Sequence, residues 1–104
     1  MPEPEWSFSN RWLTVATLRG DAPLSAADLI HRLAGEMIEA RPVWKPMHLQ
    51  PVFASCEHVT AGGAPVADRL FEKGICLPSG SNMNGNQLER VIATLRQLLG
   101  KERG

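Results

Sequence analysis

Pro42, Pro46 and Pro51 all fall within "RPVWKPMHLQPVF", and they constrain the fold more than any other feature. Each proline fixes φ and removes a backbone donor. No helix can run through this segment, and no central strand of a sheet can contain it. It reads as extended chain, with a candidate edge strand around residues 47–53.

Before the prolines, "RWLTVATL" (11–18) is apolar and carries β-branched Thr14, Val15 and Thr17, which predicts a strand. "RGDAP" turns the chain. Ser25 then starts a helix, with Asp28 three residues on as a short version of a capping-box partner. Leu29, Ile30, Leu33, Ala34, Met37 and Ile38 recur at helical spacing, so the helix is expected to reach about Ala40. Asp28, Arg32 and Glu36 line its polar face. Gly35 lies inside it at a cost of roughly 1 kcal/mol relative to Ala.

After the prolines, "TAGGAP" is a loop and Pro65 suits the first turn of a second helix. Val66, Ala67, Leu70 and Phe71 give that helix a short apolar face, and Gly74 is expected as its left-handed stop. "ICLP" is a short buried strand. Asn84 caps the last helix with Gln87 as reciprocal partner, and Gly100 ends it. Leu88, Val91, Ile92, Leu95, Leu98 and Leu99 form its core stripe. The predicted fold class is α+β, an α/β two-layer arrangement of a small sheet with about three helices. Residues 1–10 read as an irregular lead-in, 11–100 as one small α/β domain and 101–104 as a polar tail.

Eleven Lys and Arg balance eleven Asp and Glu, and the basic residues are scattered. Both facts argue against a nucleic-acid or membrane surface. Two cysteines are too few for a disulfide-rich scaffold, and no signal peptide opens the chain. The expectation is a reduced, cytoplasmic domain.

Four kinds of chemistry are open to these residues. His31, His48, His58, Cys56 and Cys76 are potential metal ligands, but they lack the paired spacing of structural zinc sites, so no metal is expected. Ser79, Ser81 and the neighbours Cys56 and His58 do not form a nucleophile motif, because "PSGSN" is not the G-x-S-x-G elbow. The Ser/Gly/Asn loop before the last helix could hold an anion at free N–H groups. It lacks the phosphate-loop pattern, and no cation follows it until Arg90, so capping is the simpler role. "ARPVWKPMHLQPVF" remains. Arg41 could grip a carboxylate or phosphate, Trp44 could lie against a sugar or base, and His48 could donate a hydrogen bond. An edge strand with Trp44 packed beneath it explains the same residues equally well.

"RPVWKPMHLQPVF" and "LFEKGICLPSGS", followed by "LERVI", together resemble the C-terminal region of the DegT-type nucleotide-sugar aminotransferases, pyridoxal-phosphate enzymes of fold type I. "SNRWLT" fits the same region, so the resemblance runs from about Ser9 to Leu99. It implies an enzyme that moves an amino group from glutamate to a keto-sugar carried on a nucleotide. Such enzymes supply amino-sugars for surface polysaccharides, glycoproteins or antibiotics. They act as dimers, with sites near the subunit interface.

In that family the cofactor domain precedes this region. It carries the Schiff-base lysine, the aspartate that pairs with the pyridinium nitrogen and most of the phosphate cup, and these 104 residues do not include it. The lysines present are Lys45, Lys73 and Lys101, none in the family's lysine context. The resemblance therefore implies no cofactor bound by this chain alone, pyridoxal phosphate in the full-length family, and no aminotransferase activity from the chain by itself. It makes His48 the residue expected to face a sugar-nucleotide. Trp44, Lys45 and Gln50 would border the cleft, and Arg41 is a candidate for a substrate carboxylate. The expected role is to shape the sugar-nucleotide side of a cleft and to aid dimerisation. The missing large domain or a second subunit would be the partner, and an apolar surface would lie exposed without it. The alternative is a free-standing sugar-nucleotide-binding or protein-assembly module.

Overall fold

The strand Gly74–Leu77 (β3) holds the middle of the sheet, flanked by Thr14–Thr17 (β1) on one edge and by the two-residue strand Arg41–Pro42 (β2) on the other. These come from a computed structural model, described over residues 3–10, 12–63 and 65–100. Both pairings are antiparallel. Three helices complete the fold: Ala26–Gly35 (α1), Val66–Lys73 (α2) and Gly85–Leu99 (α3). The architecture is the expected α+β fold. The "KERG" tail, Met1, Pro2 and Arg11 lie outside the described residues.

The register explains the two faces of the sheet. Directly opposed residues of a ladder share a face. Val15 and Arg41 both oppose Cys76, while Ala16 and Pro42 oppose Ile75. Ile75 joins Leu29, Leu33, Ile38 and Val91 in the buried core between the sheet, α1 and α3. The face with Val15, Cys76 and Arg41 has no helix of this core upon it.

Several expectations are corrected. The 47–53 segment is not an edge strand. It forms two 3-10 turns, Met47–Leu49 and Pro51–Phe53. Pro46 precedes the first and Pro51 opens the second, where a fixed φ favours turning over pairing. The edge strand lies earlier, at Arg41–Pro42, and Pro42 has no N–H with which to prolong it.

Helix α1 stops at Gly35, short of Ala40. Met37 takes the left-handed conformation (φ 62°). Its N–H donates to the Ala34 carbonyl, and the Ile38 N–H donates to the Leu33 carbonyl. This is a Schellman stop, with buried Ile38 making the accompanying apolar contact. Met37 is therefore 88% exposed, not part of the apolar face. Arg90 of α3 donates to the Glu36 carbonyl, which places a cation at the end of α1.

Gly74 is not a left-handed stop. Its backbone is extended (φ −89°, ψ 154°), and it is the first residue of β3. Glycine is needed for space: a Cβ there would collide with the Leu70 carbonyl oxygen and lie 2.5 Å from Val43 Cγ2. Helix α2 buries no residue, so its predicted apolar face is largely open, with Val66 and Leu70 exposed. In α3, Val91 is buried and Leu95, Leu98 and Leu99 pack on the core, but Leu88 and Ile92 of the predicted stripe face outward.

The local caps are as expected. The Ser25 hydroxyl accepts from the Asp28 N–H at 3.1 Å. Asn84 and Gln87 form a reciprocal capping box at 2.8 and 2.9 Å, and Gly100 closes α3 at φ 63°.

Two substitutions test these backbone assignments by denaturant unfolding. Met37→Gly relieves a left-handed side chain that packs on nothing, and should stabilise by about 1 kcal/mol. Gly74→Ala should destabilise by about 1–3 kcal/mol, because a backbone oxygen cannot swing aside as a side chain can.

Candidate functional site

The prolines deliver the predicted residues to two separate places. Arg41 lies on the open face of the sheet. It helps to line a groove of about 640 Å³ with Trp12, Glu39, Cys76, Pro78 and Ser79. The register is the cause: Arg41 and Val15 flank Cys76 at the centre of the sheet. Arg41 is not idle there. Its Nε donates to Glu39 Oε2 at 2.8 Å, and a terminal nitrogen lies 2.6 Å from the same oxygen. Both side chains are well exposed, so the pair orients the guanidinium more than it stabilises the fold.

Trp12 and Trp44 meet across the ends of the edge strands, with ring centroids 5.8 Å apart and a tilt of 44°. Tilted aromatic pairs at this distance are favourable. Trp44 is nevertheless 66% exposed and Trp12 68%, so Trp44 is not packed beneath a strand. Ser79 stitches the groove together. Its hydroxyl accepts from the Thr14 N–H and lies within 3.4 Å of the Trp12 and Leu77 carbonyls. The loop hydroxyl thus continues the β1–β3 ladder beyond its last backbone pair.

His48 sits elsewhere, beside a cavity of about 350 Å³ formed with Met47, Phe53, Cys56, Glu57 and His58. Its Nε2 lies 2.6 Å from Asp68 Oδ1 on α2. Both atoms are buried, and neither has an aligned hydrogen-bond partner, so this is a close polar contact and not a well-directed hydrogen bond. The His58 ring stacks on His48, with centroids 3.5 Å apart and planes 8° from parallel. Gln50 turns inward, donating to the Lys45 carbonyl at 3.2 Å and steadying the first 3-10 turn. Lys45 is exposed. Trp44, Lys45 and Gln50 line neither of the two cavities. Among the described residues no group of three or more His, Cys, Asp or Glu is placed to hold a metal ion.

The sequence alone singles out neither Trp12 nor the partners of His48. Asp68 and His58 carry no local signal, since Asp68 is twenty positions from His48 and meets it only through the fold.

The sequence model of the DegT/DnrJ/EryC1/StrS aminotransferase family matches residues 1–96. The chain belongs to this family. A relative in Bacillus subtilis (strain 168), named "Putative pyridoxal phosphate-dependent aminotransferase EpsN", is 50% identical over 101 residues, which are 94% of this chain and 25% of the relative. The GDP-perosamine synthase of Caulobacter vibrioides is 30% identical over 88 residues, covering 85% of this chain and 23% of that one. Two solved structures share the fold. The aminotransferase TlmJ from Streptoalloteichus hindustanus has a TM-score of 0.75 at 21% identity, over 96% of this chain and 25% of its own. A DegT DnrJ EryC1 StrS aminotransferase from Brucella abortus has a TM-score of 0.70 at 23% identity, over 86% of this chain and 22% of its own. The chain spans about a quarter of the length of the curated relatives it matches.

Because Arg41 is exposed and, among the described residues, pairs with the equally exposed Glu39, Arg41→Ala should change unfolding free energy by no more than about 0.5 kcal/mol. A larger loss in a urea titration would make Arg41 a structural residue and remove it from the candidate site.

Proposed function

We propose that this chain acts as the C-terminal domain of a pyridoxal-phosphate-dependent nucleotide-sugar aminotransferase. In that role it shapes the sugar-nucleotide side of the cleft and offers a surface for the large domain or a second subunit. The observation that carries this reading is the large apolar side chains left exposed. Trp12 and Trp44 lie against each other while each stays exposed, and Trp6, Phe8, Val52, Val59, Val66 and Leu70 are exposed as well. Apolar surface of this kind marks an interaction face. A quarter-length match to the relatives supplies a reason for it.

Residues 11–100 serve in this reading as one domain. Arg41, held by Glu39 over the sheet, is suited to a carboxylate or phosphate in fork geometry. Trp44 offers a ring face for a sugar or base, with Lys45 and Gln50 bordering it. His48 supplies a polar contact to the sugar-nucleotide.

Among the described residues, neither lysine is suited to hold pyridoxal phosphate. A Schiff base needs an amine in an enclosed pocket beside a partner for the ring nitrogen. Lys45 stands exposed between Trp44 and Pro46, and Lys73 ends α2 at a small separate pocket of about 220 Å³, apart from the two cavities that hold the candidate residues. No step through the cofactor is assigned to this chain, and amino transfer is assigned to the assembled enzyme.

Incubation with pyridoxal phosphate followed by borohydride should leave no stable adduct on a particular lysine, as read by mass spectrometry of digested peptides. A single reduced adduct at Lys45 or Lys73 would overturn the non-catalytic reading. Titration with UDP- and dTDP-sugars, followed by Trp fluorescence, should give no tight saturable binding to the isolated chain. Tight binding that His48→Ala abolishes would instead favour a free-standing sugar-nucleotide module.

A further inference from the structure

We infer that the outer edge of β1 is a self-association surface: two copies of this chain pair their β1 strands antiparallel, about a two-fold axis at Val15. Within the proposed function this makes a second copy the partner and β1 the strand that receives it. The physical case rests on the sheet alone, so its failure would leave the C-terminal-domain reading standing.

The strand order β1-β3-β2 leaves each outer strand with one open side. The Thr14 N–H donates to the Ser79 hydroxyl just past β3, and the Leu18 N–H donates to the Lys73 carbonyl. Both groups point toward β3. Backbone groups alternate in direction along an antiparallel strand. Those of Thr14, Ala16 and Leu18 therefore serve the ladder, and those of Leu13, Val15 and Thr17 point away from it. All four residues of β1 are exposed.

The two edges differ in their protection. Strand β2 is two residues long and contains Pro42, and both brevity and proline guard an edge against pairing. Strand β1 has neither guard. Its register with β3 runs unbroken from Thr14 to Thr17, and residues 13–18 include no proline and no charged side chain. Such a row of outward donors and acceptors is a template for another strand. A second copy suits it because an uncharged stretch meets itself without repulsion. Centred on Val15, the antiparallel pairing sets Val15 opposite Val15 and each Leu13 opposite the other copy's Thr17. Every outward backbone group of the three then has a partner, since directly opposed residues of this kind exchange both hydrogen bonds. Val15 shares the open face with Cys76 and Arg41, so the joined strands continue that face across both copies.

Sedimentation and amide hydrogen exchange of the whole chain, each followed from low to high protein concentration, test this pairing. A monomer–dimer equilibrium is expected, in which the Val15 and Thr17 amides exchange more slowly as dimer forms. Val15→Lys and Val15→Glu each set like charges opposite one another and should each raise the dimer dissociation constant at least about threefold. An equimolar mixture of the two should recover association as a heterodimer. Val15→Pro removes one outward donor from each copy at an edge position that tolerates proline, and should raise the constant about tenfold. Should Val15→Pro not fold, the charge variants decide, because the Val15 side chain is exposed and lies outside the buried core. A chain that stays monomeric at every concentration overturns the inference. So does a dimer whose Val15 and Thr17 amides exchange as fast as in the monomer, or one that both charge variants leave unchanged.

Discussion

The fold turns on the crowding at Gly74. The Leu70 carbonyl comes from the last turn of α2, Val43 comes from the chain just after β2, and both press on the same Cα. This close approach lets a helix run into the central strand while the proline segment crosses beside it. A side chain there would press on both elements and strain the middle strand, whose pairing sets Arg41 and Val15 on either side of Cys76.

From that point the molecule divides in two. On one side of the sheet, Ile75 enters a core with Leu29, Leu33, Ile38 and Val91, and the burial of these side chains is the main favourable term in folding. On the other side the apolar surface is unfinished. Burial is thus lopsided, which supports the proposed role as one part of a larger enzyme. The chain belongs to the DegT/DnrJ/EryC1/StrS aminotransferase family and spans about a quarter of the length of the curated relatives it matches. No helix among the described residues is long and apolar enough to cross a membrane.

The parts legible in the sequence were those whose physics is local. Ser25, Asn84 with Gln87, and Gly100 act on backbone groups within a turn of themselves, so their spacing suffices. The errors came where distant chain decides. Met37 stops α1 because Ile38 is drawn into the core and Arg90 reaches across from α3, and neither fact is visible in "AGEMIEA". Gly74 looked like a stop because it follows a helix, whereas its reason is the arrival of Val43. At the candidate site, Arg41 and His48 stood out within one proline-rich segment, and the turns at Met47–Leu49 and Pro51–Phe53 carried them to different cavities.

The junction between α2 and β3 has a mechanical side. Lys73 is the last helical residue and Gly74 the first of the strand, with no connecting residue between them. A loop would act as a slack joint and absorb small rotations. Here the helix that carries Asp68 passes directly into the strand that floors the Arg41 groove, so the surroundings of the two cavities are joined by consecutive backbone residues and not by a loop.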